Sequence, residues 1–516
     1  MAAGVAATLS VPAFAQMLGQ GNDVEFHGYM RGYLGWNTDR SIETNDKSGD
    51  LSMVRGQVYL ELQNKVAPMQ WKVSTRVARE YETDYLTKLQ NLERSKSGLA
   101  NPRFEVMNIY NKGEFRDAWV QFQPMENLNV KFGKQQVVWG ETDLFQALDV
   151  IHGYNLSWSP LLEEPDETRK PLILLNTTLS VPQADGSLQL VLRPGWDPLR
   201  DNGSTWDIYG GRARTNGYKG ASSALSMDYK HPEGDLDNKL TYALRWKGLA
   251  AGMNYHLSYV KMPYTRNPVA NSVFAPFEKN PVDGQPANWI IPIVQVYGAG
   301  LNAYVQPIDT VLTGEVVFTH DEPFNVGSVP SGAIAAACLP GGLGAAPFAT
   351  AYSGFCGIKR KNTVMTMIRA EKSFKTNDSL GTSSPTTAAL QIFNTRIQNF
   401  NKSEELVQSI GYPDLVHESS YFISLVLRAP FMQDKLTPTI ALGRDPTNKG
   451  SLFAAAVDYE LGTNWRLRAE WDVFRGNSTV SMQNTPLGFI PVGHASGMSG
   501  MLDDNSRFYL RATYQF

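Results

Sequence analysis

Residues 506–516, SRFYLRATYQF, alternate strictly between apolar and polar side chains up to the final phenylalanine. The apolar side chains occupy every second position, at Phe508, Leu510, Ala512, Tyr514 and Phe516. The positions between them hold arginine, tyrosine, threonine and glutamine. Successive side chains of a β-strand point to opposite faces, so this segment predicts a strand with one apolar face and one polar face.

The same alternation recurs along the chain, for example in 51–64, 238–247 and 464–475. It predicts about 18 strands, at 24–36, 51–65, 70–81, 114–123, 128–139, 171–181, 187–193, 238–247, 251–262, 290–306, 310–321, 360–374, 386–400, 419–430, 436–445, 450–461, 464–475 and 506–516. The alternation is weakest in 187–193 and 386–400, so counts of about 16 or about 14 strands are alternatives.

The links between these strands alternate in length. Tight links such as 67–69 and 462–463 contrast with long ones such as 82–113 and 140–170. Bacterial membrane β-barrels show this rhythm, because their periplasmic turns are short and their extracellular loops are long. A soluble β-sandwich also alternates, but full charges in the middle of the polar faces favour a barrel with a polar lumen. The predicted fold class is therefore all-β, a transmembrane antiparallel β-barrel in the outer membrane of a Gram-negative bacterium.

The charge balance excludes a nucleic-acid-binding role. The 516 residues include 47 Lys and Arg against 50 Asp and Glu, a formal net charge of −3, whereas nucleic-acid binding needs a concentrated basic face. G-x-S-x-G, H-E-x-x-H and P-loop motifs do not occur in the sequence, and its histidines lack metal-ligand spacing. We therefore expect no enzymatic activity, no catalytic residues, no metal and no cofactor.

The N-terminal residues 1–15, MAAGVAATLSVPAFA, are small and apolar and end in the Ala-x-Ala pattern of a cleavage site. They predict the remnant of a signal peptide, followed by a single barrel domain over 16–516. Export places Cys338 and Cys356 in an oxidising compartment, which favours a disulfide between them; two free buried thiols are the alternative. Both lie in the uncharged segment 323–358, for which a hydrophobic lid and a self-packed loop are equally weighted interpretations.

Residues 133–143, GKQQVVWGETD, join the end of a strand to an acidic loop. This motif resembles a proteobacterial outer-membrane family, domain-of-unknown-function family thirteen-zero-two, in which a strand ending in G-[KR]-Q-x-V-x-W-G precedes an acidic, part-helical loop. Family members more often carry Asn-Pro soon after this loop's aspartate, whereas here His152 and Gly153 follow 149–151. The resemblance covers most of the mature chain, and this motif is its distinctive part. It implies a porin-like outer-membrane channel that moves hydrophobic compounds with inner-membrane exporters.

The terminal Phe516 also resembles a known signal. A final phenylalanine preceded by alternating aromatics is similar to the sorting signal that the outer-membrane barrel assembly machinery recognises. We therefore expect Phe516 to be the membrane-assembly signal and that machinery to be a partner.

The loop after this motif is the predicted pore constriction. Residues 141–152, ETDLFQALDVIH, have the spacing of a short helix that folds into the lumen or caps the barrel from outside. The residues expected at the constriction are Trp139, Glu141, Asp143, Phe145 and Asp149. If the loop folds inward, its acidic side chains are expected to meet arginines of the barrel wall.

Many charged residues fall on the polar faces of the predicted strands. The basic members are Arg55, Arg76, Arg245, Arg369, Arg428, Arg466, Arg468 and Arg511. The acidic members are Glu61, Glu315, Glu470 and Asp472. Two interpretations remain open, of which an electrostatic ladder that braces the wall is favoured over a ligand-specific arginine site.

These features predict an outer-membrane channel for small or hydrophobic molecules, which diffuse through a lumen narrowed by the 141–160 loop. Its expected partners are outer-membrane lipids, the solutes themselves, the assembly machinery and an inner-membrane exporter. A structural barrel within an export or electron-conduit complex is the main alternative. An outer-membrane lipid hydrolase is a weaker one.

Overall fold

The structure is a computed structural model of the whole chain. It describes residues 24–66, 68–97, 106–140, 142, 146–155, 158, 161, 163–193, 211–212, 241–263, 273–279, 286–290, 293–327, 357–407, 415–476, 481–485, 488–492, 500 and 502–516. Several predicted features lie outside this set: the signal peptide, Cys338, Cys356, Glu141, Asp143 and Phe145.

Within the described ranges, eighteen long strands form one antiparallel sheet. In chain order they are β1 Val24–Asn37, β2 Leu51–Asn64, β3 Met69–Glu80, β4 Lys112–Met125, β5 Leu128–Gln135, β6 Leu172–Val181, β7 Gly186–Arg193, β8 Thr241–Ala250, β9 Met253–Pro263, β10 Ile293–Val305, β11 Thr310–Val326, β12 Ile358–Phe374, β13 Thr386–Ile397, β14 Ser419–Arg428, β15 Leu436–Asp445, β16 Gly450–Leu461, β17 Trp465–Arg475 and β18 Arg507–Gln515.

The sheet closes on itself. Each strand pairs with the next along the chain, and β18 pairs with β1 from Tyr29↔Gln515 to Asn37↔Arg507. At the seam, the Phe516 amide donates to the Gly28 carbonyl at 3.0 Å, and the Phe516 ring lies 5.9 Å from the ring of Phe26. The predicted antiparallel barrel of eighteen strands is thereby confirmed.

The outer surface of the barrel is apolar and carries aromatic rows towards both rims. At the short-turn end, the Trp465 and Tyr514 rings lie 5.2 Å apart. Towards the other end, Tyr259 lies 5.7 Å from Tyr242 and 5.0 Å from Tyr297, measured between ring centroids. An outward apolar band between aromatic girdles is the lipid-facing surface of an outer-membrane barrel.

Short turns close the barrel at the end that holds both Val24 and Phe516. Two of them are 3₁₀ turns, Pro182–Ala184 and Gln306–Ile308, and each ends at an aspartate with positive φ, Asp185 at 44° and Asp309 at 49°. Aspartate tolerates this left-handed conformation better than most residues, so the local sequence favours a chain reversal at these two positions. In bacterial barrels this is the periplasmic end.

The opposite end carries the long loops. The helix Asp84–Ser97 begins after Thr83, whose Oγ1 accepts from the Leu86 amide at 3.3 Å, and it is followed by the helix Val106–Tyr110. Tyr85, Leu86 and Tyr110 are fully buried and pack with inward-facing residues at the upper ends of the strands. No helix among the described residues is long and apolar enough to cross a membrane.

Shorter elements complete the described structure. They are the strand Leu406–Val407, the hairpins Val273–Lys279 with Pro286–Ile290 and Ser481–Thr485 with Gly488–Val492, and the helices Pro165–Thr168 and Asn377–Leu380.

Two local predictions around the motif are wrong. The strand predicted over 128–139 ends at Gln135, and the Val137 amide donates to the His152 side chain instead of to a neighbouring strand. The helix predicted over 141–152 is not formed by its described residues, because 146–152 are bends and irregular chain. Their apolar side chains are buried against the barrel wall, and this packing overrides the local helical spacing.

Candidate functional site

The link between β5 and β6, residues 136–171, is called the inner loop, and its described residues fold into the barrel. Its side chains Val137, Trp139, Leu148 and Ile151 are buried. They form one cluster with inward-facing apolar residues of eight strands, which we call the apolar wall: Leu172, Leu174, Val191, Ala243, Val260, Met262, Val294, Val296, Val317, Met367 and Phe393. Of the two positions left open by the sequence, the described part of the loop takes the inward one.

Leu148 occupies the centre of this contact and is fully buried. It lies over Gly298 of β10, where an added Cβ would stand 2.2 Å from the Leu148 Cδ1. Only glycine therefore lets the loop approach the wall this closely. The Leu148 amide donates to the Glu315 carboxylate on β11 at 3.1 Å, which fixes the backbone as well as the side chain.

Trp139 is held at the lumen side of the motif. Its indole Nε1 donates to Gln189 Oε1 at 3.0 Å, and the Arg245 guanidinium lies 4.8 Å from the centre of its ring. Arg245 also donates to Gln189 at 2.9 Å and to the Val138 carbonyl at 3.4 Å. A cation over the face of an indole is a favourable contact, so Arg245 stabilises the point where the chain leaves the wall.

The far end of the inner loop is acidic and meets arginines from the opposite side of the lumen. Glu167 accepts from Tyr29 at 2.6 Å, from Arg31 at 3.3 Å and from Arg76 at 2.8 Å. Glu163 lies 3.2 Å from Arg511 and 3.7 Å from Arg31. The inner loop therefore bridges two unlike surfaces of the barrel.

We call the second surface the charged wall. It consists of inward-facing residues on β16–β18 and β1–β4, among them Arg31, Arg76, Glu114, Arg116, Asp458, Arg468, Glu470 and Arg511. Burial raises the pKa of Glu167, but Arg31 and Arg76 outweigh that effect and the pKa is lowered overall. Glu167 is therefore a carboxylate at neutral pH.

Internal contacts brace the inner loop between its two ends. Asp149 accepts from Arg169 and from the Tyr154 hydroxyl, both at 2.5 Å. The His152 Nε2 accepts from the Val137 amide at 2.9 Å, so its Nδ1 carries the proton and donates to the Lys170 carbonyl at 2.8 Å. These contacts join the first and last turns of the loop.

The brace also sets the charge state of the histidine. Burial lowers the pKa of His152 from 6.5 to about 4; Asp149 acts in the opposite direction, and Arg169 acts in the same one. His152 is therefore neutral at physiological pH, and one ring nitrogen remains free to accept the Val137 hydrogen bond.

Asp149 departs from its predicted environment. We expected the acidic residues of this loop to meet arginines of the barrel wall, but Asp149 pairs with Arg169 of the same loop. The arginines Arg31, Arg76 and Arg511 are met instead by Glu163 and Glu167, which the sequence did not single out.

The predicted lumen charges fall into three positions. Arg76, Arg245, Arg511 and Glu315 contact the inner loop. A second group pairs with other residues of the barrel strands: Arg55 with Glu80, Arg468 with Asp458 and Glu470, Glu61 with Lys72, and Arg369 with Glu371. Asp472 is completely buried, whereas Arg466 pairs with Glu460 near the periplasmic rim and Arg428 is exposed there.

Some contact residues were missed in the sequence. Arg31 stands two residues from both Tyr29 and Tyr33 on the polar face of β1, so strict alternation would have found it. Glu163 and Glu167 lie in a loop without periodicity, where the sequence holds no signal of their partners. Beside them, a small cleft separates the loop from the charged wall, lined by Tyr33, Trp158, Glu163, Arg468, Glu470 and Arg511.

The family model described as "Protein of unknown function (DUF1302)" matches residues 3–516. The chain belongs to this family. Its barrel, with the apolar belt and aromatic rows described above, is an outer-membrane-type barrel of a Gram-negative bacterium, in contact with membrane lipids. No curated protein matches this DUF1302 chain in sequence.

Solved outer-membrane porins are similar to it in structure. Acinetobacter baumannii OccAB1 is 11% identical with a TM-score of 0.45, over 96% of this chain and 97% of that one. Pseudomonas aeruginosa OccK1 (OpdK) is 9% identical with a TM-score of 0.43, over 96% and 98%. A BenF-like porin from Pseudomonas fluorescens Pf-5 has the same identity, TM-score and coverage of both chains.

Proposed function

We propose that this protein is an outer-membrane channel for small or hydrophobic molecules, with the inner loop as its constriction. The observation that carries the proposal is the position of the described residues of 137–151 inside the barrel, where Val137, Trp139, Leu148 and Ile151 pack against eight strands of its wall. A loop that narrows a closed barrel sets the size and chemistry of the solutes that diffuse through. Trp139 and Asp149 lie within this constriction; Glu141, Asp143 and Phe145 are proposed to complete it.

The two sides of the loop differ in how readily a path opens. On the apolar wall, side chains such as Leu148 and Ile151 are fully buried and exclude water. On the charged wall, the contacts are ion pairs beside a small cleft. We place the solute path along the charged side, beside the cleft, where separating ion pairs that are 7–14% exposed requires no cavity to form in a packed apolar core.

Conductance across a planar bilayer tests the constriction. We expect the full chain to give small channels and a variant lacking 141–165 to give channels several times larger. The matched control deletes the periplasmic helix Asn377–Leu380, which has no buried residue, and leaves the conductance unchanged. A folded barrel without conductance, even after the 141–165 deletion, would contradict the channel and favour the structural role in an envelope complex.

The other expected roles stay predictions with tests of their own. Fatty-acid release from phospholipid vesicles would indicate a lipid hydrolase instead of a channel. Co-purification with an inner-membrane exporter would support the expected transport partner. Replacement of Cys338 and Cys356 by serine tests the proposed disulfide-tied lid, which predicts altered uptake of apolar solutes.

Phe516 is proposed to be recognised by the assembly machinery. Phe516 also packs at the seam, beside Gly28 and Phe26, so the test variant must keep that apolar packing. Phe516→Leu keeps apolar packing and removes the aromatic ring. We expect it to lower the yield of barrel in the outer membrane while purified barrel keeps its thermal stability.

A further inference from the structure

The described residues of the inner loop present an apolar surface on one side of the lumen and carboxylates on the other. Leu148, Val150 and Ile151 pack against the apolar wall. Glu163 and Glu167 extend to arginines of the charged wall. A single segment of chain thus satisfies two unlike surfaces at once, with Asp149 and Arg169 neutralising each other between them.

Arg31 depends on this loop more than its neighbours do. Arg76 keeps Glu114 as a partner on the wall, 2.5 Å away, and Arg511 has Asp458 at 3.8 Å. Among the residues that the structure describes, both carboxylates paired with Arg31 belong to the inner loop. When the loop withdraws, Arg31 keeps Thr513 and Tyr33 as hydrogen-bond acceptors, and it needs an anion.

We propose that the lumen selects amphiphilic anions, such as carboxylates with an alkyl tail, and that the inner loop imitates them when it is docked. The head group replaces Glu163 and Glu167 at Arg31, because a guanidinium forms strong, paired hydrogen bonds with a carboxylate. The tail lies in the cleft beside Glu163, where it takes the place of Trp158 of the inner loop against Tyr33, Met53 and Tyr509. This inference names the substrate class of the proposed channel and rests on that function.

The test uses the full chain in a planar bilayer and records interruptions of the potassium chloride current. Octanoate, acetate and octyltrimethylammonium are added separately at equal ionic strength, because acetate lacks the tail and the ammonium lacks the negative head. We expect octanoate to interrupt the current with an affinity about tenfold above that of either other probe. Equal affinities for the three probes would overturn the proposal.

Variants locate the site. Arg31→Gln is expected to reduce octanoate affinity to that of acetate, whereas Arg396→Gln, which breaks the exposed pair of Arg396 and Glu418, leaves it unchanged. If Arg31→Gln does not assemble, the double variant Glu163→Gln and Glu167→Gln keeps the wall intact and frees the arginines. It is expected to bind octanoate more tightly than the parent, and unchanged binding would count against the proposal.

The outcomes for the channel and for its selectivity are distinct. A potassium chloride current that octanoate does not affect refutes the selectivity and leaves the channel standing. A barrel with no current before or after deletion of 141–165 refutes the channel itself.

Discussion

The two walls of the lumen hold the same loop by different interactions, apolar burial on one side and ion pairs on the other. The apolar wall buries Leu148 and Ile151 completely, and each such side chain contributes roughly 1.5–3 kcal/mol of transfer free energy. The charged wall holds Glu163 and Glu167 with arginines whose side chains remain 8–14% exposed. Partly hydrated ion pairs contribute less net free energy, and salt screens them. One wall therefore anchors the loop, and the other leaves it adjustable.

The anchor should fail when a charge is placed in it. Leu148→Asp puts a carboxylate into a fully buried position beside Glu315. We expect it to destabilise the docked loop by more than about 4 kcal/mol and so release the loop from the apolar wall. We expect single-channel conductance to approach that of the 141–165 deletion. Leu148→Met conserves volume and should leave conductance within the range of the parent; a similar conductance in both variants would mean that Leu148 is no anchor.

The brace between the walls should give the next largest effect. Asp149→Asn leaves Arg169 buried without its carboxylate, which costs about 3–5 kcal/mol for a buried pair. We expect more frequent transitions to the wide conductance and faster proteolysis of the inner loop in detergent. The double variant Asp149→Asn with Arg169→Gln should restore much of the parent behaviour. A double variant as defective as the single one would show that the pair does not act as a unit.

Acid should loosen the same brace through His152. The docked loop holds the pKa of His152 at about 4, below its ordinary 6.5, so the released loop binds the proton more readily. The docked state therefore keeps its full stability above pH 6.5 and loses it as the pH falls from 6.5 towards 4. The loss approaches about 3 kcal/mol. Conductance recorded from pH 7.5 to 4.5 should rise in the parent and stay flat in His152→Gln; identical profiles would remove His152 from the explanation.

The charged wall should give the smallest effect and the only one that depends strongly on salt. Glu167→Gln removes one carboxylate from Arg31 and Arg76. We expect the docked loop to lose about 1 kcal/mol of stability at low ionic strength. Its conductance should differ from that of the parent in 0.05 M potassium chloride and converge with it by about 1 M, where the Debye length is about 3 Å. Glu404→Gln, which removes a carboxylate that pairs with Lys361 of β12 away from the charged wall, is the matched control.

The barrel was predictable because most strands alternate apolar outward-facing side chains with polar inward-facing ones. Segments such as β17 and β18 place apolar side chains outward and charges inward, and period two reveals this without knowledge of any partner. The strand bounds follow the turns, as at Asp185 and Asp309, where the chain reverses for local reasons.

The lumen was less predictable because, at the apolar wall, the inward-facing side chains are apolar instead of polar. In β6 the run Leu172, Ile173 and Leu174 is apolar on both faces, so alternation does not show which side chains meet lipid and which meet the inner loop. The helix expected over 141–152 was wrong for the same reason, since burial against distant strands decided its conformation. Contacts such as Arg31 with Glu163 join residues far apart in sequence, and no spacing encodes them.

The charged wall straddles the seam of the barrel. Arg31 belongs to the first strand and Arg511 to the last, and both reach Glu163, which lies between them in the chain. The acidic end of the inner loop can thus find both partners only after β18 has paired with β1. The charged contacts of Glu163 therefore depend on a closed seam, whereas the apolar contacts of the loop with β6–β13 do not. Glu163 links the two strands of the seam. A force that separates β1 from β18 therefore also weakens the contacts of the constriction with Arg31 and Arg511.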